Sequence, residues 1–194
     1  MRDYTIRQLL RETELSPYLT DNISKVVEEL KLPIAGARID VAVINGSLHG
    51  FEIKSAVDTL QRLPYQIEAY SKVFDYLYIV TEGRHYQKVL DILPKWVGLI
   101  VCSDNAGICS VRTIRASKKN KLQDGFFLAK LLWKEELISI FREHKIPYKK
   151  NSGTWILCEI LAEKMEVKNL SAIVRNKLKN RPTDWKNISQ QAVK

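Results

Sequence analysis

Arg38-Ile39-Asp40-Val41-Ala42-Val43-Ile44-Asn45-Gly46-Ser47-Leu48-His49-Gly50-Phe51-Glu52-Ile53-Lys54-Ser55 is the stretch that decides the fold. Residues 38–44 are rich in β-branched side chains, and a turn containing Asn45-Gly46 separates them from a second extended segment, 49–55. That pattern predicts a β-hairpin. Side chains alternate along a strand, so Glu52 and Lys54 share one face while Phe51 and Ile53 take the other. On the first strand Asp40 is an acid among Ile39, Val41 and Val43, which are expected to point away from it and to pack with Phe51 and Ile53. Asp40 lies opposite Glu52 only if Ile44 pairs with Leu48, which leaves Asn45-Gly46-Ser47 as a three-residue loop. A shift of one residue would send the two carboxylates to opposite faces.

Beyond the hairpin, the pattern predicts a helix over about 59–74, an apolar strand over 76–80, a helix over about 85–93, a strand over 97–102 and a last strand near 111–114. The first thirty residues read as helix in two pieces broken near Ser16-Pro17. Thr20 or Asp21 would cap the second piece, with Ile23, Val26, Val27 and Leu30 on its buried face, and Pro33 would end it. Helices alternating with strands in this order imply an α/β fold, a central mixed sheet flanked by helices.

The short cationic run Ser117-Lys118-Lys119-Asn120-Lys121 then marks a boundary. Residues 1–116 are read as the core domain and 117–194 as a basic, small C-terminal helical domain. Three helices are expected in it, at about 126–144, 153–165 and 168–179, with Leu137, Ile138 and Phe141 on one apolar face and Ile156, Leu157, Ile160 and Leu161 on another.

Composition narrows the class of protein. A hydrophobic fraction of 45% is enough for a packed core, while the longest apolar runs, such as Trp96 to Cys102, fall far short of the ~20 residues of a membrane helix. The N-terminus lacks a secretory signal pattern, which points to a cytoplasmic protein. Cys102, Cys109 and Cys158 have no metal-binding spacing and are expected to be buried, reduced thiols. The net charge of +9 favours a polyanionic partner.

Two carboxylates side by side repel one another unless a cation sits between them, and hard oxygen donors with an open coordination sphere suit Mg2+ or Mn2+. Asp40 and Glu52 are therefore the candidate metal ligands, with the carbonyl of Ile53 as a third donor and Lys54 placed to orient or deprotonate an attacking water. A Glu-x-Lys pair alone is commonly an exposed salt bridge. The chemistry is carried by the ordered set: an acid on one hairpin strand, Glu-x-Lys on the next, and a following helix with its own polar pair.

Arg38-Ile39-Asp40 and Gly50-Phe51-Glu52-Ile53-Lys54-Ser55 resemble the PD-(D/E)XK nuclease superfamily, and Gln66-Ile67-Glu68-Ala69-Tyr70 resembles the Gln-x-x-x-Tyr motif of its RecB-like and Cas4-like branches. Ile39 stands where the superfamily has its proline. The resemblance implies a restriction-endonuclease-like core, catalysis by Asp40, Glu52 and Lys54, and support from Gln66 and Tyr70. It also implies an acid on the preceding helix, for which Glu29 is chosen ahead of Glu28. Trp133-Lys134-Glu135-Glu136-Leu137 and the later Val174-Arg175 and Leu178 resemble a small bacterial and phage group of such proteins.

The expected activity is metal-dependent hydrolysis of phosphodiester bonds in DNA, with a homodimer permitted. The alternative is a catalytically inactive nuclease-fold protein that binds nucleic acid or regulates. Candidate nucleic-acid contacts are Arg38, Lys118, Lys119, Arg175, Lys177, Lys179 and Arg181, with Lys168 and Lys186 adding charge and Trp185 a stacking surface.

Overall fold

The computed structural model describes residues 1–34 and 36–182. Helices α1 (Asp3–Glu12) and α2 (Ser16–Thr20) lead into strands β1 (Lys25–Lys31), β2 (Arg38–Ile44) and β3 (Leu48–Lys54). Helix α3 (Leu63–Ser71), strand β4 (Tyr76–Glu82), a 3-10 turn at Gly83–His85, helix α4 (Tyr86–Ile92), and strands β5 (Gly98–Asn105) and β6 (Ile108–Arg115) complete the sheet region. Four helices follow: α5 (Gly125–Ala129), α6 (Lys134–Glu143), α7 (Thr154–Lys164) and α8 (Val167–Asn180).

All six strands form one mixed sheet in chain order, β1-β2-β3-β4-β5-β6. The β3-β4 and β4-β5 pairs are parallel, because α3 and α4 return the chain across the sheet; the other pairs are antiparallel. The α/β class and the helix-flanked mixed sheet expected from the sequence are what the chain forms. The hairpin register pairs Ile44 with Leu48, Val43 with His49 and Val41 with Phe51, the frame in which Asp40 faces Glu52.

Apolar residues occupy both faces of the sheet. The larger core joins Ile39, Ala42, Ile44, Leu48 and Leu77 to Tyr70 of α3 and Phe74 just after it, Val89 of α4, and the buried faces of α5–α8, including Leu157, Leu161, Leu170, Val174 and Leu178. The smaller one holds Val41, Val43, Phe51, Ile53, Val80 and Ile100 under Ile6 and Leu10 of α1 and Leu15. At Gly98 the chain runs so close to its neighbours that a Cβ would lie 2.4 Å from the Tyr78 ring and 2.8 Å from the backbone nitrogen of Ser117. No helix among the described residues is long and apolar enough to cross a membrane.

Four expectations change. The second helical piece is instead β1: α2 stops at Thr20, and Asp21 accepts the backbone N–H groups of Ile23 and Ser24 in a turn rather than capping a helix. Glu29 has φ 55, a left-handed conformation that interrupts the alternation of β1. Val27 and Leu30, three residues apart, therefore both enter the larger core, and a strand acquires the spacing of a helix face; Ile23 is exposed. Ile39 packs in the larger core rather than with Val41 and Val43, so alternation also breaks beside Asp40. The helix expected over 126–144 is two, α5 and α6, separated at 130–133, with the backbone N–H of Trp133 donating to Glu136 Oε2 at 2.7 Å. Cys109 is exposed, because β6 has a neighbour on one side only; Cys102 and Cys158 are buried.

Candidate active site

Glu52 and Lys54 lie on the α3 side of β3 and are almost fully covered, at 3% and 8% exposure. Burying an unpaired charge is costly, so their partners decide whether the arrangement is stable. Lys54 Nζ donates to Glu52 Oε1 at 2.7 Å and to Gln66 Oε1 at 2.9 Å, and Gln66 Nε2 donates to Glu52 Oε1 at 2.7 Å. The Tyr70 hydroxyl stands 2.7 Å from both Glu52 Oε2 and the Arg38 carbonyl oxygen. Burial, reinforced by the charge of Glu52, pushes the Tyr70 phenol well above its ordinary range and keeps it a donor. Gln66 and Tyr70 are four residues apart on α3 and so face the sheet together.

Asp40 is held differently. Its Oδ2 accepts the backbone N–H of Ile53 at 2.7 Å, which ties β2 to β3 beyond the last ladder pair, and its Oδ1 accepts from Arg7 Nη2 at 2.7 Å. Asp40 and Glu52 line one open cleft of about 430 Å3, together with Lys31, Arg38, Arg62, Tyr65 and Gln66. Burial, and then the charge of Glu52, push the Asp40 carboxyl up to about 6. The backbone N–H of Ile53 and the guanidinium of Arg7 oppose that rise without cancelling it.

The raised value sets a direction for stability. Between pH 4 and pH 6 the unfolded chain releases the Asp40 proton while the folded chain retains it, so this group stabilises the fold at low pH and that contribution is lost as pH rises. Asp40→Asn removes the dependence. In metal-free buffer its stability relative to wild type is expected to increase from pH 4 to pH 6.5 by up to about 3 kcal/mol, at 1.36 kcal/mol for each pH unit of elevation. Urea denaturation at the two pH values measures it, and a relative stability that does not change with pH would contradict it.

Glu29 is an edge-strand residue and not the helical acid expected. Arg7 Nη2 bridges it to Asp40, donating to Glu29 Oε1 at 2.8 Å, and Arg38 Nε lies 2.7 Å from Glu29 Oε2, outside hydrogen-bond alignment. Glu28 pairs instead with Arg11 at the exposed surface. Of the two, Glu29 is thus the acid joined to Asp40. Ile53 enters the site through its N–H.

Asp40 and Glu52 are the two carboxylates of the cleft that could hold a hard divalent cation. Among the described residues no group of three or more His, Cys, Asp or Glu is arranged to hold a metal. Mg2+ is commonly bound through only one or two carboxylates, its remaining positions being filled by water and substrate phosphate.

Arg7, Arg62, Lys31 and Tyr65 escaped the sequence reading. Only Arg62 had a local signal, standing four residues before Gln66. Among the basic candidates, Arg38 lines the cleft and is exposed; Lys118 is also exposed. Arg175 holds Asp75 at 3.3 Å, and Lys177 holds Glu143 at 3.1 Å. Arg181 is withdrawn as a nucleic-acid contact: it is 6% exposed, donates to Glu136 and to the Leu131 carbonyl, and covers the Trp133 ring at 4.3 Å. Trp185 and Lys186 lie outside the described residues.

Three likenesses to known proteins accompany this geometry. Protein cII of Enterobacteria phage P4 is 26% identical over 182 residues, covering 90% of this chain and 69% of that protein. A protein of unknown function from Silicibacter pomeroyi is similar over 71% of this chain and 92% of its own, with a TM-score of 0.41 and 17% identity. Pyrococcus furiosus SfsA, solved in complex with Ca2+, is similar over 56% of this chain and 60% of its own, with a TM-score of 0.31 and 14% identity. The profile of the family described as "Bacteriophage P4 protein cII" matches residues 3–194, which takes in the sheet, the cleft and the C-terminal helices alike. The chain belongs to the bacteriophage P4 cII protein family.

Proposed function

We propose that the chain is a metal-dependent deoxyribonuclease of the PD-(D/E)XK type. The observation that carries the reading is the pair Asp40 and Glu52 at one cleft, with the ammonium of Lys54 hydrogen-bonded to Glu52. In this reading Asp40 and Glu52 hold Mg2+ or Mn2+. The bound cation would supply Lewis acidity toward a phosphodiester oxygen and toward water.

The chain's own residues do the rest. Gln66 and Tyr70 fix the rotamer of Glu52, so that its carboxylate is preorganised at the cleft. Lys54, held by Glu52 and Gln66, places a positive charge where a water is oriented for attack and negative charge develops on phosphate. Arg38 and Arg62 at the cleft would meet the flanking phosphates.

Incubating wild type and Asp40→Asn with supercoiled, linear and single-stranded DNA in Mg2+ or Mn2+ tests the reading. Wild type is expected to cleave and the variant to be slower by at least ~100-fold, in keeping with loss of a transition-state charge ligand. Equal cleavage by both, or none by wild type, would end the proposal.

One observation favours a second reading, an inactive nuclease-fold protein that binds nucleic acid or regulates. Each acid already has an internal cation, Arg7 for Asp40 and Lys54 for Glu52. On that reading DNA binding persists, while divalent metal changes neither binding nor the DNA.

A further inference from the structure

Two clefts of about 440 and 430 Å3 open on the sheet face that carries α8, and both are lined by Ala172 and Arg175. The first runs between α8 and the β2-β3 turn at Asn45 and Gly46; the second runs between α8 and the segment after β6. Together they collect Lys119, Lys121, Lys168, Arg175 and Lys179 along their walls. Asp75 is the single carboxylate among the lining residues, and it is spent: its side chain is 2% exposed, accepts the backbone N–H of Leu48 and pairs with Arg175.

The cations differ in what they already hold. Arg175 is committed to Asp75, and Lys119 reaches it at 3.8 Å. Lys121, Lys168 and Lys179 make no ion pair among the described residues. Lys168, Ala172, Arg175 and Lys179 recur at helical spacing and share one face of α8. At 1.5 Å per residue that face runs ~17 Å, about five nucleotide steps of a B-form strand. Ala172, exposed and small, sits where the two clefts meet and leaves the track open.

We propose that this continuous cationic groove across Ala172 is a binding track for the phosphodiester backbone of nucleic acid. No aromatic side chain lines it, so the contacts are to phosphate and sugar, without base stacking or sequence readout. The track and the active-site cleft lie on the same side of the sheet, since α3 and α8 share the larger core. The turn at Asn45 is five residues of strand from Asp40, ~17 Å or half a turn of B-DNA. The inference deepens the nuclease reading by naming the surface that holds the substrate.

The test is fluorescence anisotropy with fluorescein-labelled 20-mer duplex and single-stranded DNA on the full chain. EDTA is present throughout, so that failure to bind is distinguishable from failure to cut. Lys121→Glu/Lys168→Glu/Lys179→Glu is expected to bind at least ~10-fold more weakly, with the slope of log K against log salt on duplex shallower by about 3. Ala172→Glu, which blocks the track at an exposed helix position, is expected to weaken binding at least ~5-fold with an unchanged melting temperature. A control with the same charge change, Lys88→Glu/Lys95→Glu/Lys134→Glu, is expected to lose much less. Equal losses in the groove and control triples, unaltered binding by Ala172→Glu, or no binding by wild type would overturn the assignment.

Discussion

Replacing Lys54 with methionine is expected to lower DNA cleavage by roughly 10²–10⁴-fold while leaving DNA binding in EDTA within about twofold of wild type. Lys54 is 8% exposed and its ammonium bonds Glu52 and Gln66, so methionine, which keeps an unbranched apolar stem, isolates the loss of the ammonium. Without it Glu52 retains Gln66 and Tyr70 as donors but loses its cation. A purely structural role for Lys54 would instead lower cleavage, DNA binding and melting temperature together. Cleavage assays and DNA binding in EDTA, with the melting temperature recorded in parallel, separate these outcomes.

The second large effect is on stability. Asn120, 4% exposed, donates from Nδ2 to the carbonyls of Ser71 at 2.6 Å and Phe74 at 2.8 Å, while its Oδ1 accepts the backbone N–H of Leu122 at 2.8 Å. One side chain thus satisfies backbone groups at the end of α3 and fastens the segment after β6 to the connection between α3 and β4. Asn120→Ala would leave two buried carbonyls and one N–H without this partner, at about 1–3 kcal/mol for a stranded buried group and partial relief by water. A net loss of about 2–4 kcal/mol, or roughly 5–12 °C in melting temperature, is expected. Calorimetry checks it, and a loss below ~0.5 kcal/mol, the range of surface substitutions, would show that the contact is dispensable.

The hairpin was legible because its information is local. Two β-branched runs around Asn45-Gly46-Ser47 specify a register, and the register brings Asp40 to the edge of the cleft that Glu52 also lines. Strand β1 was illegible for an equally physical reason. The left-handed backbone at Glu29 lets Val27 and Leu30 enter the same core, so a strand carries the three-residue spacing by which helices are recognised. Arg7 was beyond reach because its contact with Asp40 spans 33 residues of chain and depends on how α1 lies across the sheet.

Charge counting fared no better in the C-terminal region. Arg181 and Lys168 look alike in the sequence, yet Arg181 is buried against Glu136 and Trp133 while Lys168 lines an open groove. Only packing separates a structural cation from one that is available to a partner.

The central claim is that Asp40 and Glu52 together hold one divalent cation. Isothermal titration of Mn2+ into wild type, Asp40→Asn and Glu52→Gln tests it most directly. The account predicts one Mn2+ per chain for wild type and loss of that binding in both variants. Binding that survives in both variants, or no binding by wild type at millimolar Mn2+, would contradict it.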